Sequence, residues 1–134
     1  MQTVSLLCKI YDEAIVLLHA TRDYVQEQGP LDIFTVTVDD GMAMTLESTR
    51  ITSRLTHIMA WYLTQQALMK GEIDLKEARS SEYDIPEEAT LLDNKGEENP
   101  LIPAQLQYLL KNSRELYQRV SRLNGVFRRH TASA

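Results

Sequence analysis

Three long stretches of the sequence repeat apolar residues at the spacing of an α-helix, and this periodicity restricts the chain to a helical bundle. In the first stretch, residues 4–28, apolar side chains recur in steps of three and four, at Val4, Leu7, Tyr11, Ala14 and Leu18. This spacing places them along one face of a helix, where they can pack on a common core. One such helix alone would be marginal in water, so the three stretches must pack together.

The first helix is predicted to stop at Gly29-Pro30, since glycine caps helices and proline cannot continue one. Residues 31–43 follow, and their β-branched side chains alternate as in a strand. No second strand is available to pair with them. We therefore interpret this segment as an extended connection that packs Ile33, Phe34 and Val36 on the bundle.

The second helix is predicted over residues 44–70, with Gly71 as its C-terminal cap. Arg54, Trp61 and Leu68 form a line about a third of a turn from its main apolar stripe. Aromatic residues are enriched at interfaces, so this line predicts a homodimer interface made by Trp61, Leu68 and Arg54. The alternative is that Trp61 and Leu68 cover the edge of the monomer's own core.

The third helix is predicted over residues 103–128, where apolar residues keep a spacing near 3.5. The six residues after Arg128 are expected to fray. Between the second and third helices, residues 72–98 hold ten acidic and three basic residues. We expect Leu91 and Leu92 to pin the middle of this loop. The predicted fold is one all-α domain, 1–134, an antiparallel three-helix bundle with a long acidic loop between helices two and three.

Composition restricts the function classes. The chain is 43% hydrophobic and 25% charged, as in an ordinary globular protein. No apolar run reaches the roughly 20 residues of a membrane span, and the N-terminus lacks the basic region of a signal peptide. We expect a cytoplasmic protein. The lone Cys8 is expected to be a small buried side chain.

No constellation of residues typical of catalysis is visible. His19, His57 and His130 lie far apart, without the paired spacing of metal ligands, and the five glycines are scattered. The carboxylates of the loop are expected to be solvated rather than to work as acid and base. The sequence thus predicts a protein that is not an enzyme and that has no catalytic residues, metal site or cofactor.

The third helix carries a basic face. Residues 111–129 hold six basic residues and one acid, and Arg114, Arg119 and Arg122 are predicted to bind a partner. One interpretation is an acidic protein or the chain's own acidic loop. The alternative is a nucleic-acid-associated regulatory protein that uses these arginines on phosphates. The net charge of −5 makes nucleic acid the weaker interpretation.

Two blocks of the sequence resemble a known family. The first block is residues 47–55, ESTRITSRL, followed by residues 60–63, AWYL, and 70–72, KGE. The second is residues 109–120, LLKNSRELYQRV, followed by Arg122-Leu123. In this order they resemble the regulator of CtrA degradation (RcdA-like) family of alphaproteobacteria, over nearly the whole chain.

The resemblance implies a dimeric three-helix bundle without enzymatic activity. It implies an adaptor for the ATP-dependent protease ClpXP that tethers cell-cycle substrates such as CtrA for delivery. The implied partners are the protease unfoldase complex, a priming response regulator, a cyclic-di-GMP effector and the substrate. The family often has a longer tail after the last helix, and here only about six residues follow Arg128.

Overall fold

The computed structural model describes residues 2–78, 85–86 and 88–133, and within these it contains helices and no strand. The all-α class is therefore confirmed. Three helices are long: α1 (Gln2–Asp23), α3 (Val38–Met69) and α7 (Ala104–Ser133). Four are short: α2 (Gly29–Phe34), α4 (Leu75–Ala78), α5 (Ala89–Leu92) and α6 (Lys95–Glu98). No described helix has the length and apolarity that crossing a membrane requires.

The predicted stop at Gly29-Pro30 is wrong. A π-helical turn, Tyr24–Gln28, leads directly into α2, in which Gly29 has helical dihedral angles and Pro30 occupies the first turn. Proline is well tolerated there because its missing N–H would have no helical partner. Gly29 is needed for space rather than as a cap, since a Cβ would lie 3.0 Å from the Tyr24 carbonyl oxygen.

The segment 31–43 is not an extended connection that packs on the bundle. Phe34 ends α2 with 89% of its surface exposed, and Ile33 and Val36 are exposed as well. Thr37 then caps α3, because its hydroxyl accepts a hydrogen bond from the Asp40 N–H at 3.2 Å. This cap starts α3 at residue 38 instead of 44.

The third long helix runs parallel to the second. The Arg54 guanidinium donates to the Leu110 carbonyl at 2.9 Å, and farther along both helices the Trp61 indole donates to Asn124 Oδ1 at 3.0 Å. The prediction of an antiparallel bundle is therefore wrong for α3 and α7, which are parallel. Parallel neighbours require a chain segment long enough to return along the bundle, which explains the length of the connection between α3 and α7.

Helix α1 runs opposite to both of its long neighbours. Tyr11, near its start, contacts Tyr62 near the end of α3, with ring centroids 5.0 Å apart. Near its other end, Tyr24 lines a small cavity together with Met44 from the beginning of α3. Each of the three long helices contacts the other two, and the core lies between them.

The connection between α3 and α7 is packed on the long helices where the structure describes it. Ile85, Leu91 and Ile102 are buried, and Leu92 is partly buried against the same core. The predicted pinning by Leu91 and Leu92 is confirmed. Residues 79–84 and 87 of the predicted loop lie outside the described residues.

Three smaller expectations were settled by the structure. Gly71 has φ +76° and follows α3 in a Schellman motif, with the Glu72 N–H bonded to the Ala67 carbonyl at 2.8 Å, so the predicted cap is confirmed. The predicted fraying after Arg128 is wrong, since α7 continues to Ser133. Cys8 is exposed, not buried, so this expectation is wrong.

Candidate protein-binding surfaces

Arg54 lies in the centre of the protomer and is fully buried. Its guanidinium donates to the carbonyl oxygens of Leu91 (2.7 Å), Asp93 (2.9 Å) and Leu110 (2.9 Å), and to the Ser113 hydroxyl (3.1 Å). Burial, and secondarily the nearby Arg50, lowers the pKa of Arg54 to about 10, so the side chain remains charged at neutral pH. Arg54 thus ties the returning connection to both α3 and α7.

Two further arginines surround Arg54, and each is paired with carboxylates. Arg50 contacts Glu47 at 2.6 Å and Asp93 at 3.9 Å. Arg114 on α7 contacts Glu97 on α6 at 2.6 Å. We call these three arginines and three carboxylates the arginine cluster. Its formal charges balance, and fork-shaped guanidinium contacts of this kind fix geometry strongly.

The arginine cluster corrects the sequence prediction for Arg54. Because Arg54 has no exposed surface, its side chain cannot contact a second protomer. The predicted role of Arg54 in a dimer interface is therefore corrected. Two stretches of the sequence supply most of these contacts. Residues 47–55 contain Glu47, Arg50 and Arg54, and residues 109–120 contain Arg114 together with Ser113, which accepts a hydrogen bond from Arg54.

Trp61 is also part of the protomer core, with 1% of its surface exposed. Its ring stacks on Phe127 of α7 with centroids 5.8 Å apart, and its indole N–H is bonded to Asn124. The predicted interface role of Trp61 is therefore corrected in favour of the alternative, coverage of the monomer core. Leu68 remains half-buried near the end of α3, and its place in an interface stays a prediction.

The three predicted partner-binding arginines do not form one open surface. Arg114 is held in the arginine cluster by Glu97, a residue of the acidic connection. Arg119 is half-exposed and pairs with Glu13 of α1 at 2.9 Å. Arg122 is exposed. Two of the three arginines are thus already paired with carboxylates of the same chain.

A groove opens on the opposite side of the molecule from α7, where α2 meets α3. We call it the elbow groove; its volume is about 730 Å³. Gly41 allows α2 to approach closely here, since a Cβ would lie 3.2 Å from the Ile33 side chain. Its lining has no charged side chain: Ile33, Val36, Thr37, Val38, Gly41, Met42, Ala43, Thr45, Leu46 and Thr49.

The large side chains of the elbow groove face solvent. Val38 is 79% exposed, Met42 67% and Leu46 60%, and Phe34, which follows the lining residue Ile33, is 89% exposed. Contiguous exposed apolar side chains of this kind are typical of protein interaction sites. The sequence reasoning missed this surface because it placed Phe34 and its neighbours on the core, although the Thr37 cap was a readable signal.

The outer face of α3 stays uncharged beyond the elbow groove. Residues 55–69 contain no Asp, Glu, Lys or Arg. Along this face Thr56, Ala60 and Leu63 are exposed, and Ala67 is half-buried, at alternating steps of four and three. Solvent-facing helix surfaces normally carry charges, so this second surface, the α3 stripe, also has the character of a contact site.

The fold and these surfaces define the class: a small all-α protein whose outward-facing apolar surfaces suit contacts with other proteins. Within the described residues, no group of three or more His, Cys, Asp or Glu side chains is arranged to hold a metal ion.

The chain belongs to the family described as "Protein of unknown function (DUF1465)", whose model matches residues 1–134. It is similar to the crystal structure of RcdA from Caulobacter crescentus, with 28% sequence identity, a TM-score of 0.69, and coverage of 89% of this chain and 88% of that one. No curated protein matches the sequence. The family resemblance found in the sequence is confirmed.

Proposed function

We propose that this protein is a non-enzymatic, cytoplasmic adaptor in regulated proteolysis. The observation that carries the proposal is the likeness to RcdA, which extends over most of both chains in sequence and in fold. The elbow groove and the α3 stripe support it, because they are exposed apolar surfaces that the protomer itself leaves uncovered.

The proposed mechanism is tethering. The adaptor holds a cell-cycle substrate such as CtrA near the ClpXP unfoldase, together with a priming response regulator and a cyclic-di-GMP effector. Holding two molecules on one scaffold raises their effective concentration, so degradation becomes faster at low substrate concentration without any change in peptide-bond chemistry. Such a scaffold needs an open surface for a partner, and the elbow groove is such a surface.

Reconstitution tests this function. Purified adaptor, ClpXP, the two priming partners and CtrA are mixed, and the loss of CtrA is followed over time. We expect the adaptor to lower the apparent KM of degradation, and CtrA to stay intact when ClpXP is omitted. Degradation that is unchanged over all adaptor concentrations would argue against the proposal.

We further propose that the protein acts as a homodimer through the α3 stripe, with Leu68 at its margin. This replaces the interface centred on Trp61 and Arg54. Light scattering should give the mass of a dimer at tens of micromolar, and Leu63→Glu should give a monomer of unchanged helix content. The matched control is Val16→Glu on α1, also exposed. A wild-type monomer would end this part of the proposal.

Nucleic-acid binding is the weaker candidate, because Glu97 and Glu13 already pair with Arg114 and Arg119. A salt titration of DNA binding decides between the two. Steep salt dependence that is lost on charge reversal of Arg119 and Arg122 would favour nucleic acid.

A further inference from the structure

We propose that the elbow groove binds a segment of a partner protein that has an apolar centre flanked by basic residues. This inference rests on the proposed adaptor function, and it names the chemistry of the partner that one surface recognises.

The apolar part of the inference follows from exposure. Phe34, Val38 and Met42 are each more than 60% exposed and contribute little to the core. Short helix α2, which carries Phe34 at its end, is itself anchored, because Tyr24 donates a hydrogen bond to Asp32 at 2.8 Å and Gln28 donates to the same carboxylate at 2.9 Å. An exposed aromatic side chain on an anchored helix that lines an apolar groove is suited to anchoring a partner.

The flexible Met42 side chain supports the same conclusion. Methionine adapts its shape to different apolar neighbours and is common at surfaces that accept several sequences. An adaptor that delivers more than one substrate requires such tolerance. The groove volume of about 730 Å³ accommodates a few large side chains rather than a whole domain surface.

The basic part of the inference follows from charge. Residues 23–49 contain six acidic residues and no Lys, Arg or His. Glu47 is paired within the arginine cluster, whereas Asp39 lies exposed in the first turn of α3 beside the groove. Acidic residues at a helix N-terminus stabilise the helix, but that effect does not account for the lack of any basic residue over the whole elbow.

Negative charge beside the elbow groove would attract a basic partner segment and repel an acidic one. A positively charged residue beside the apolar centre would meet the exposed carboxylate of Asp39, whereas a segment flanked by carboxylates would be repelled. The same charge disfavours nucleic acid and anionic membrane at this surface. The basic half of α7 lies toward the other end of the molecule, so a protomer cannot fill its own groove with it.

The experiment uses the full-length protein and a fluorescent peptide with a leucine-rich centre flanked by lysines. Two matched peptides replace the lysines by glutamates or the leucines by serines. We expect anisotropy to show binding of the lysine peptide, with at least tenfold weaker binding of both others. Leu46→Ser, and separately Asp39→Asn with Asp40→Asn, should each weaken binding about tenfold, and the second change should also reduce its salt dependence.

Val16→Ser is the matched control, because Val16 on α1 is exposed to a similar degree and lies outside the groove; it should bind normally. Equal binding of lysine and glutamate peptides, or binding unaffected by Leu46→Ser, would overturn the inference. So would self-association of the protein that Phe34→Ser abolishes, since the occupant would then be a second copy.

Failure here differs from failure of the proposed function. If the peptide does not bind while the adaptor still accelerates degradation, the inference is wrong and the function stands. If the peptide binds as expected but degradation is not accelerated, the inference stands and the adaptor function is wrong.

Discussion

The two faces of α3 differ in the polarity of the side chains that they bury and expose. The inward face buries a charged side chain, Arg54, and the outward face exposes apolar ones, Met42 and Leu46. On the inward face, four acceptors take up four of the five N–H groups of the guanidinium. On the outward face nothing in the described protomer covers the apolar groups.

This difference separates residues that maintain the fold from residues that are available to partners. A buried, hydrogen-bonded charge is costly to remove, because the acceptors that lose its hydrogen bonds are left unsatisfied away from water. An exposed apolar side chain can be changed with little effect on folding. Inward substitutions should therefore lower stability, and outward ones should lower binding alone.

The largest expected effect is that of Trp61→Ala. Loss of the buried indole leaves a cavity against Phe127 and removes the hydrogen bond to Asn124, and should reduce the free energy of unfolding by about 3–5 kcal/mol. Urea denaturation followed by circular dichroism measures it. Leu63→Ala, on the outward face, should change stability by less than about 0.5 kcal/mol. A Trp61→Ala protein that folds normally but no longer dimerises would return Trp61 to an interface.

Arg54→Met should reduce the free energy of unfolding by about 3 kcal/mol. The substitution keeps the apolar stem but leaves the carbonyls of Leu91 and Asp93 without the donor that Arg54 supplies. Proteolysis should cut the connection between α3 and α7 faster in this variant. Arg119→Met, which breaks an exposed ion pair, should cost less than about 1 kcal/mol. Equal losses of unfolding free energy in the Arg54→Met and Arg119→Met variants would contradict the central role of Arg54.

Gly96→Ala should cost about 1–3 kcal/mol, because a Cβ would lie 2.5 Å from Glu47 Oε2 and 3.0 Å from Leu110 Cδ1. Gly125 provides the matched control. It lies within α7, and a Cβ there would meet Arg129 only at 3.8 Å, so Gly125→Ala should stabilise by about 0.5–1 kcal/mol. Thermal melts of the two variants should move in opposite directions.

The smallest change in stability is expected for Leu46→Ser, within about 0.5 kcal/mol, since the side chain is mostly in water. Ile51→Ser, on the buried face of the same helix, should unfold the protein at much lower urea concentration. Equal effects of these two substitutions would remove the distinction between the two faces.

The sequence predicted well those elements that follow a single periodic rule. The apolar positions of α7 and the Gly71 cap depend on local chemistry, so they could be identified without coordinates. The α1 stripe was partly misplaced, because Val4 and Tyr11 are exposed while Ile10 and Leu17 are buried. The elbow was misjudged because the β-branched residues of 33–38 suggest extended chain, while Thr37 and Asp40 cap a helix at the same place. A local hydrogen bond outweighed a weak propensity.

The positions of Arg54 and Trp61 could not be derived from periodicity. Both lie off the main stripe of α3, and a helical wheel shows only that such positions contact something. Their contacts come from the returning connection and from α7, which are 37 to 63 residues away in the sequence. A long-range return of the chain leaves no local pattern, so the same line of residues could equally have predicted a second protomer.

The opposite directions of α1 and α7 have a practical consequence for handling the protein. Gln2 and Ser133 both lie at the end of the molecule remote from α2. A fluorophore or affinity tag fused at either terminus will therefore point away from the elbow groove, and the protein can be immobilised from both ends in turn with this surface open to the surrounding solution.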